Sequence, residues 1–125
     1  MSAAKQFHLG DILSITTGIL VSPRLIEGVY DILNHMTGES LFTHQLPRVS
    51  RECAPKLVMQ HPFLAKIKGD GVGPENYRQW LAEQVALHGE MHSVEPMLPG
   101  EHEFREPLSE LAEMVHPDKI IAVQS

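Results

Sequence analysis

Residues 20–48 read LVSPRLIEGVYDILNHMTGESLFTHQLPR, and this stretch contains the clearest helix of the chain together with its stop. Ser22 is a side-chain acceptor suited to an N-cap, and Pro23 sits where a missing N–H costs nothing, so the spacing predicts a helix beginning there. Leu25, Ile26, Val29, Tyr30, Ile32, Leu33 and Met36 recur at three- and four-residue steps, which places them on one broad face that must be buried. Gly38 follows the last apolar residue and is free to take the left-handed conformation that closes a helix. Gly28, in the middle, costs about 1 kcal/mol relative to alanine, and close packing of another backbone is the expected compensation.

Outward from this helix, Phe7–Ile15 predicts a short extended entry and then two helical turns with Asp11 as N-cap, ending near Gly18. The β-branched run Ile15-Thr16-Thr17 weakens that helix. On the other side, Leu41 and Phe42 are expected to return to the core. Leu46-Pro47 opens a second helix whose stripe is Leu46, Val49, Cys53 and Leu57, with Pro55 predicted to kink or split it and His61-Pro62 to end it. After Gly69-Asp70-Gly71-Val72-Gly73-Pro74 comes an amphipathic helix carrying Tyr77, Trp80, Leu81, Val85 and Leu87, with Pro74 at its first position, Trp80 as a core anchor and Gly89 at its end. Met91–Met97 reads as a strand, Pro107–Val115 as a short helix and Lys119–Val123 as a buried strand. Together these predict a single α+β domain over residues 1–125, with a mainly helical part at 8–89 and a strand-helix-strand part at 90–125. Four to five helices are expected in all.

The single cysteine among 125 residues excludes an internal disulfide framework and is compatible with a reducing cytoplasm. The opening MSAAKQFH has no signal-peptide core, and no apolar run approaches the roughly 20 residues of a membrane helix, so a cytoplasmic, membrane-free protein is expected. The net charge of −6 lies wholly in the second half. Glu101, Glu103, Glu106, Glu110 and Glu113 face only Arg105 in their span, which argues against nucleic acid as a direct ligand and favours a partner with a basic surface. The structural alternative is a solvated acidic face.

The chemistry-bearing residues are few. His88 and His92 are four apart, with Glu90, Glu95 and His102 near in sequence, but Gly89 separates them and no metal is assigned. The Gly69–Pro74 stretch lacks the spacing and the lysine of a phosphate loop. Cys53 with His44 or His61 resembles a nucleophile and base, yet its place on the apolar stripe makes a small buried hydrophobe the better account. No catalytic residue and no cofactor is assigned. Thr43, His44, Gln45, Arg48 and Arg51 form a polar set at a helix start that can receive an anion. Their structural alternative is that His44 and Gln45 cap backbone groups at the junction and the arginines pair with Glu39, Glu52 or the acidic second half. Tyr77 and Trp80 are compatible with a homodimer contact.

The strings LGDILSITTGILVS (9–22), IEGVYDILNHMTGESLFTHQLPR (26–48) and RECAP (51–55) resemble a group of small proteins, without an assigned activity, encoded by bacteriophages and prophages. The resemblance covers about the first half. It implies an accessory protein acting on host machinery in the bacterial cytoplasm. With the acidic second half, the expectation is a non-enzymatic inhibitor of a host defence complex, such as a CRISPR effector, binding through Glu101, Glu103, Glu106, Glu110 and Glu113. The alternatives are a protein that sequesters a small nucleotide signal near Arg48 and Arg51, and a small, metal-dependent or metal-free enzyme.

Overall fold

The computed structural model of the chain describes residues 4–98 together with 101, 102, 108 and 111. In order these form strand β1 (Lys5–His8), helices α1 (Leu9–Thr17), α2 (Ile26–Thr37) and α3 (Leu46–Gln60), helix α4 (Tyr77–His88) and strand β2 (Met91–Val94). Short 3₁₀ turns at Thr43–Gln45 and Pro62–Lys66 flank α3. The architecture is α+β and mainly helical. Among the described residues no helix is long and apolar enough to cross a membrane.

The strand expected at 91–97 is present over its first four residues, and its partner is β1. The two run antiparallel, with Phe7 opposite His92 and Lys5 opposite Val94. The expected helix at Pro107–Val115, apart from Leu108 and Leu111, and the expected strand at Lys119–Val123 lie outside the described residues. Two strands alone are marginal. Phe7 and Val94 bury one face of the pair on the helices, and side chains fasten its other groups. The His35 ring donates to the Val94 carbonyl from Nε2 at 2.7 Å. The Gln60 amide exchanges two hydrogen bonds with the Glu95 backbone, at 2.8 and 3.1 Å.

Helix α1 begins one turn earlier than expected. His8 is its N-cap, accepting from the Gly10 amide at Nδ1 (2.9 Å), while Asp11 lies inside the first turn and is fully buried. Gly18 ends it in the left-handed conformation at φ 76°. The β-branched run does not shorten α1, because burial of Ile12, Leu13 and Ile15 outweighs a propensity cost of a few tenths of a kcal/mol per residue.

Helix α2 starts at Ile26 rather than at Pro23. Ser22 does accept from a backbone amide, that of Arg24 at 3.1 Å, but the segment to Leu25 is a turn in which Leu25 adopts a positive φ of 57°. That displaces Leu25 and Ile26 from the core face, where they were expected, to 53% and 44% exposure. Val29, Ile32, Leu33 and Met36 are buried as the periodicity requires, Tyr30 is half-buried, and Gly38 closes the helix. Helix α3 buries Leu46, Val49, Cys53 and Leu57 as expected. It is continuous through Pro55, so the predicted split does not occur; the ring sits on the exposed side, where only one backbone bond is lost.

The amphipathic reading of α4 needs correction. The helix begins at Tyr77, and of its residues only Leu81 is buried. Trp80 packs half-buried against the edge of the core, and Leu87 is 73% exposed. Leu41 returns to the core as expected, whereas Phe42 is 57% exposed.

Candidate functional site

One connected polar group among the described residues is one the sequence does not announce. Asp11 on α1 accepts from the Ser22 hydroxyl at Oδ1 (2.5 Å) and from Arg24 Nη2 at Oδ2 (2.6 Å). Arg24 Nη1 reaches Asp31 Oδ2 at 3.0 Å, and Lys5 Nζ reaches Asp31 Oδ1 at 3.0 Å. The hydrogen bond to Asp11 raises the guanidinium pKa of Arg24. Burial opposes ionisation of Asp31, but the hydrogen bonds and charges of Lys5 and Arg24 outweigh it and hold its carboxyl below the ordinary range. Gly28 makes the arrangement possible. A Cβ there would lie 2.2 Å from Ser22 Oγ and 2.3 Å from Asp11 Oδ1, so polar side chains, not the expected backbone, occupy its space. The chain of contacts runs from the fully buried Asp11 to the half-exposed Arg24 and Lys5, which makes it a clamp joining β1, α1 and α2.

The polar set Thr43, His44, Gln45, Arg48 and Arg51 does not converge on one pocket. The Thr43 hydroxyl bonds the Tyr30 hydroxyl. His44 stacks on Phe42, with ring centroids 6.2 Å apart. Gln45 is buried, and its Oε1 accepts from the Phe42 amide at 3.1 Å, closing the 3₁₀ turn. Arg48 Nη1 approaches Glu52 Oε2 at 3.5 Å. Arg51 instead lines an open groove between α1, α2 and α3. The capping and pairing alternative thus describes Gln45 and Arg48, while Thr43 and His44 are engaged by the neighbouring Tyr30 and Phe42 side chains.

Glu52 leads from that junction into the acidic half. His102 lies between Glu52, bonded at Nδ1, and Glu39, bonded at Nε2. Burial lowers the His102 pKa, but the hydrogen bonds to Glu39 and Glu52 outweigh it, so the ring is held above its ordinary value. Next to it Glu101 Oε2 pairs with Lys56 Nζ at 2.5 Å, and Oε1 accepts from the Leu98 amide at 2.6 Å. The Lys56 contact, then the Leu98 amide, hold the Glu101 carboxyl below the usual range. Of the five acidic residues expected to bind a partner, Glu101 is therefore anchored on α3. Glu103, Glu106, Glu110 and Glu113 lie outside the described residues.

His88 and His92 fall on either side of the α4 stop, as the intervening glycine predicts, yet they meet around Phe63. The Phe63 ring stacks on His88 at 4.5 Å and lies 5.3 Å from His92, which is 5.4 Å from His61. His61 Nε2 donates to the Ser93 carbonyl at 2.7 Å and His92 Nε2 to the Gly89 carbonyl at 3.1 Å. This is an aromatic seam between the α3 and α4 ends. Among the described residues no group of three or more His, Cys, Asp or Glu side chains is arranged to hold a metal ion. Cys53 is fully buried; burial first, and then the Glu52 charge, push its thiol up to about 12, so it is protonated and not nucleophilic at neutral pH.

The Asp11 clamp, the Arg48 junction and the groove all fall within β1 to the end of α3 and its following turn. Residues 7–67 match the family model described as Domain of unknown function (DUF7736). The match takes in just under half of the chain and leaves out α4, β2 and the acidic segment beyond them. No curated protein and no solved structure matches the chain. The DUF7736-like part therefore coincides with the helical core, and its description carries no activity.

Proposed function

We propose that the protein is a phage-encoded accessory protein that acts by binding in the bacterial cytoplasm, inhibiting a host defence complex by presenting carboxylates to a basic surface that otherwise holds nucleic acid. The disposition of charge carries this reading. Four cations of the first half are consumed by internal partners: Lys5 by Asp31, Arg24 by Asp11 and Asp31, Arg48 by Glu52, and Lys56 by Glu101. In the second half Glu75, Glu83, Glu90 and Glu95 are exposed, and eleven acidic residues after position 62 stand against five basic ones. A field of this sign accelerates encounter with a basic surface and disfavours direct contact with phosphate. In this reading Glu103, Glu106, Glu110 and Glu113 act with Glu101 on the partner.

The test is capture of a defence complex by the tagged protein, with nucleic acid added as competitor. Release of the complex by nucleic acid and by raised salt is the expected result, as is weaker capture by a variant carrying Gln at 101, 103, 106, 110 and 113. Capture that neither competitor nor substitution affects would refute the carboxylate mechanism. Circular dichroism of the variant separates loss of binding from loss of fold, since Glu101→Gln also removes the Lys56 contact.

A further inference from the structure

The groove between α1, α2 and α3 belongs neither to the Asp11 clamp nor to the acidic half. It is open to solvent, offers about 860 Å³ and is walled chiefly by apolar groups, among them Ile15, Leu20, Ile26, Ala54 and Val58. Leu20 and Ile26 remain 44% exposed along it. The polar side chains along it are Ser14, Thr16, Thr17, Ser50 and Arg51. Arg51 is the one charged residue lining it, is exposed, and has no carboxylate partner among the described residues. Thr16 Oγ1 is buried and has no hydrogen-bond partner. Its neighbours in α1 behave differently: Ser14 and Thr17 both donate to the carbonyl four residues back, at 2.8 and 2.6 Å. Finally, Pro55 has no N–H to offer the Arg51 carbonyl, so the helix wall lacks one bond where the groove passes.

We propose that this groove binds an apolar molecule carrying a single carboxylate, of the medium-chain fatty-acid class. An apolar lining with a few placed polar groups, within 300–1,000 Å³ (roughly), is the usual form of a small-molecule site. A lone guanidinium over such a lining selects one planar anionic head, which it can hold with two parallel hydrogen bonds. The overall charge of −6 works against an anion, so any preference for one arises locally, at Arg51.

Titration calorimetry with dodecanoate, held below its micelle threshold in about 0.15 M salt so that distant charges are screened beyond roughly 8 Å, tests this. Dodecylammonium is the cationic control. The expected result is saturable 1:1 binding of dodecanoate, at least tenfold tighter than dodecylammonium, with the order reversed by Arg51→Glu and both lost on Ala54→Trp, which fills the groove. Arg51 is exposed, so Arg51→Glu remains foldable even where Ala54→Trp is not. Absence of dodecanoate binding, equal affinity for the two head groups, or an Arg51→Glu variant that binds like the wild type would each overturn the proposal. An acidic amphipathic peptide that binds where dodecanoate does not would also overturn it and reassign the groove to a protein partner.

Discussion

Replacing Gly28 by alanine puts helix propensity and tertiary packing in direct opposition. Judged as a residue in the middle of a helix, Gly28→Ala should stabilise the protein by about 1 kcal/mol. The structure predicts the reverse. The new methyl would stand 2.2 Å from Ser22 Oγ and 2.3 Å from Asp11 Oδ1. Neither atom is the end of a flexible side chain: Ser22 is held to Asp11 at 2.5 Å and Asp11 to Arg24 at 2.6 Å, both inside the fully buried environment of Asp11. Overpacking of a rigid site costs about 1–3 kcal/mol, and leaving one buried donor or acceptor unpaired costs about 1–3 kcal/mol more. After the propensity gain is subtracted, the net loss is about 1–5 kcal/mol. For a chain of this length each kcal/mol moves the melting temperature by roughly 3–6 °C, so a fall of at least about 3 °C is expected in calorimetry, with a matching shift of the urea midpoint at unchanged m. The double variant Ser22→Ala/Gly28→Ala relieves the closer contact and should lose less than the sum of the two single changes. A Gly28→Ala protein as stable as the wild type or more so, or strict additivity in the double variant, would refute the packing argument.

The same contacts yield four further expectations. Asp11→Asn keeps one acceptor but turns an amide N–H₂ towards Arg24; because Arg24 is 47% exposed and can rehydrate, the loss should be about 1–3 kcal/mol by urea denaturation. His102 has a pKa raised in the fold, so its contribution is complete below its unfolded-state value of about 6.5 and is lost as pH rises through the folded one. His102→Gln should accordingly destabilise the protein by about 1 kcal/mol near pH 5.5 and by clearly less near pH 9, in paired thermal scans. The Cys53 thiol, at about 12 and fully buried, should resist a thiol reagent at pH 8 in the native protein and react completely in denaturant. Leu57→Ala should cost about 2–5 kcal/mol, whereas Leu87→Ala, on a side chain 73% exposed, should fall within about 0.5 kcal/mol of wild type.

By itself the sequence determined the helix stops and the α3 stripe. Gly18 and Gly38 both close their helices at φ 76°, because a left-handed residue at a helix end is a local requirement that glycine meets without cost. Leu46, Val49, Cys53 and Leu57 are buried together, because the 3.6-residue repeat alone brings them to one side. The mainly helical α+β class followed from such local signals, and so did the buried state of Cys53. The start of α2 and the burial of α4 were not legible: whether Leu25 or Leu87 is covered depends on which other elements pack there, and periodicity is silent on that. The polar contacts were still further out of reach. Asp11, Ser22, Arg24, Gly28 and Asp31 share no period, and they meet only after α1 and α2 have packed with the 18–25 turn between them. Arg48 and Arg51, three residues apart in sequence, were paired as one candidate site; in the folded chain one turns to Glu52 and the other to an apolar groove. Local chemistry fixes what a residue can do, while the packing of distant segments supplies the partner, and it was the partner that tertiary structure decided.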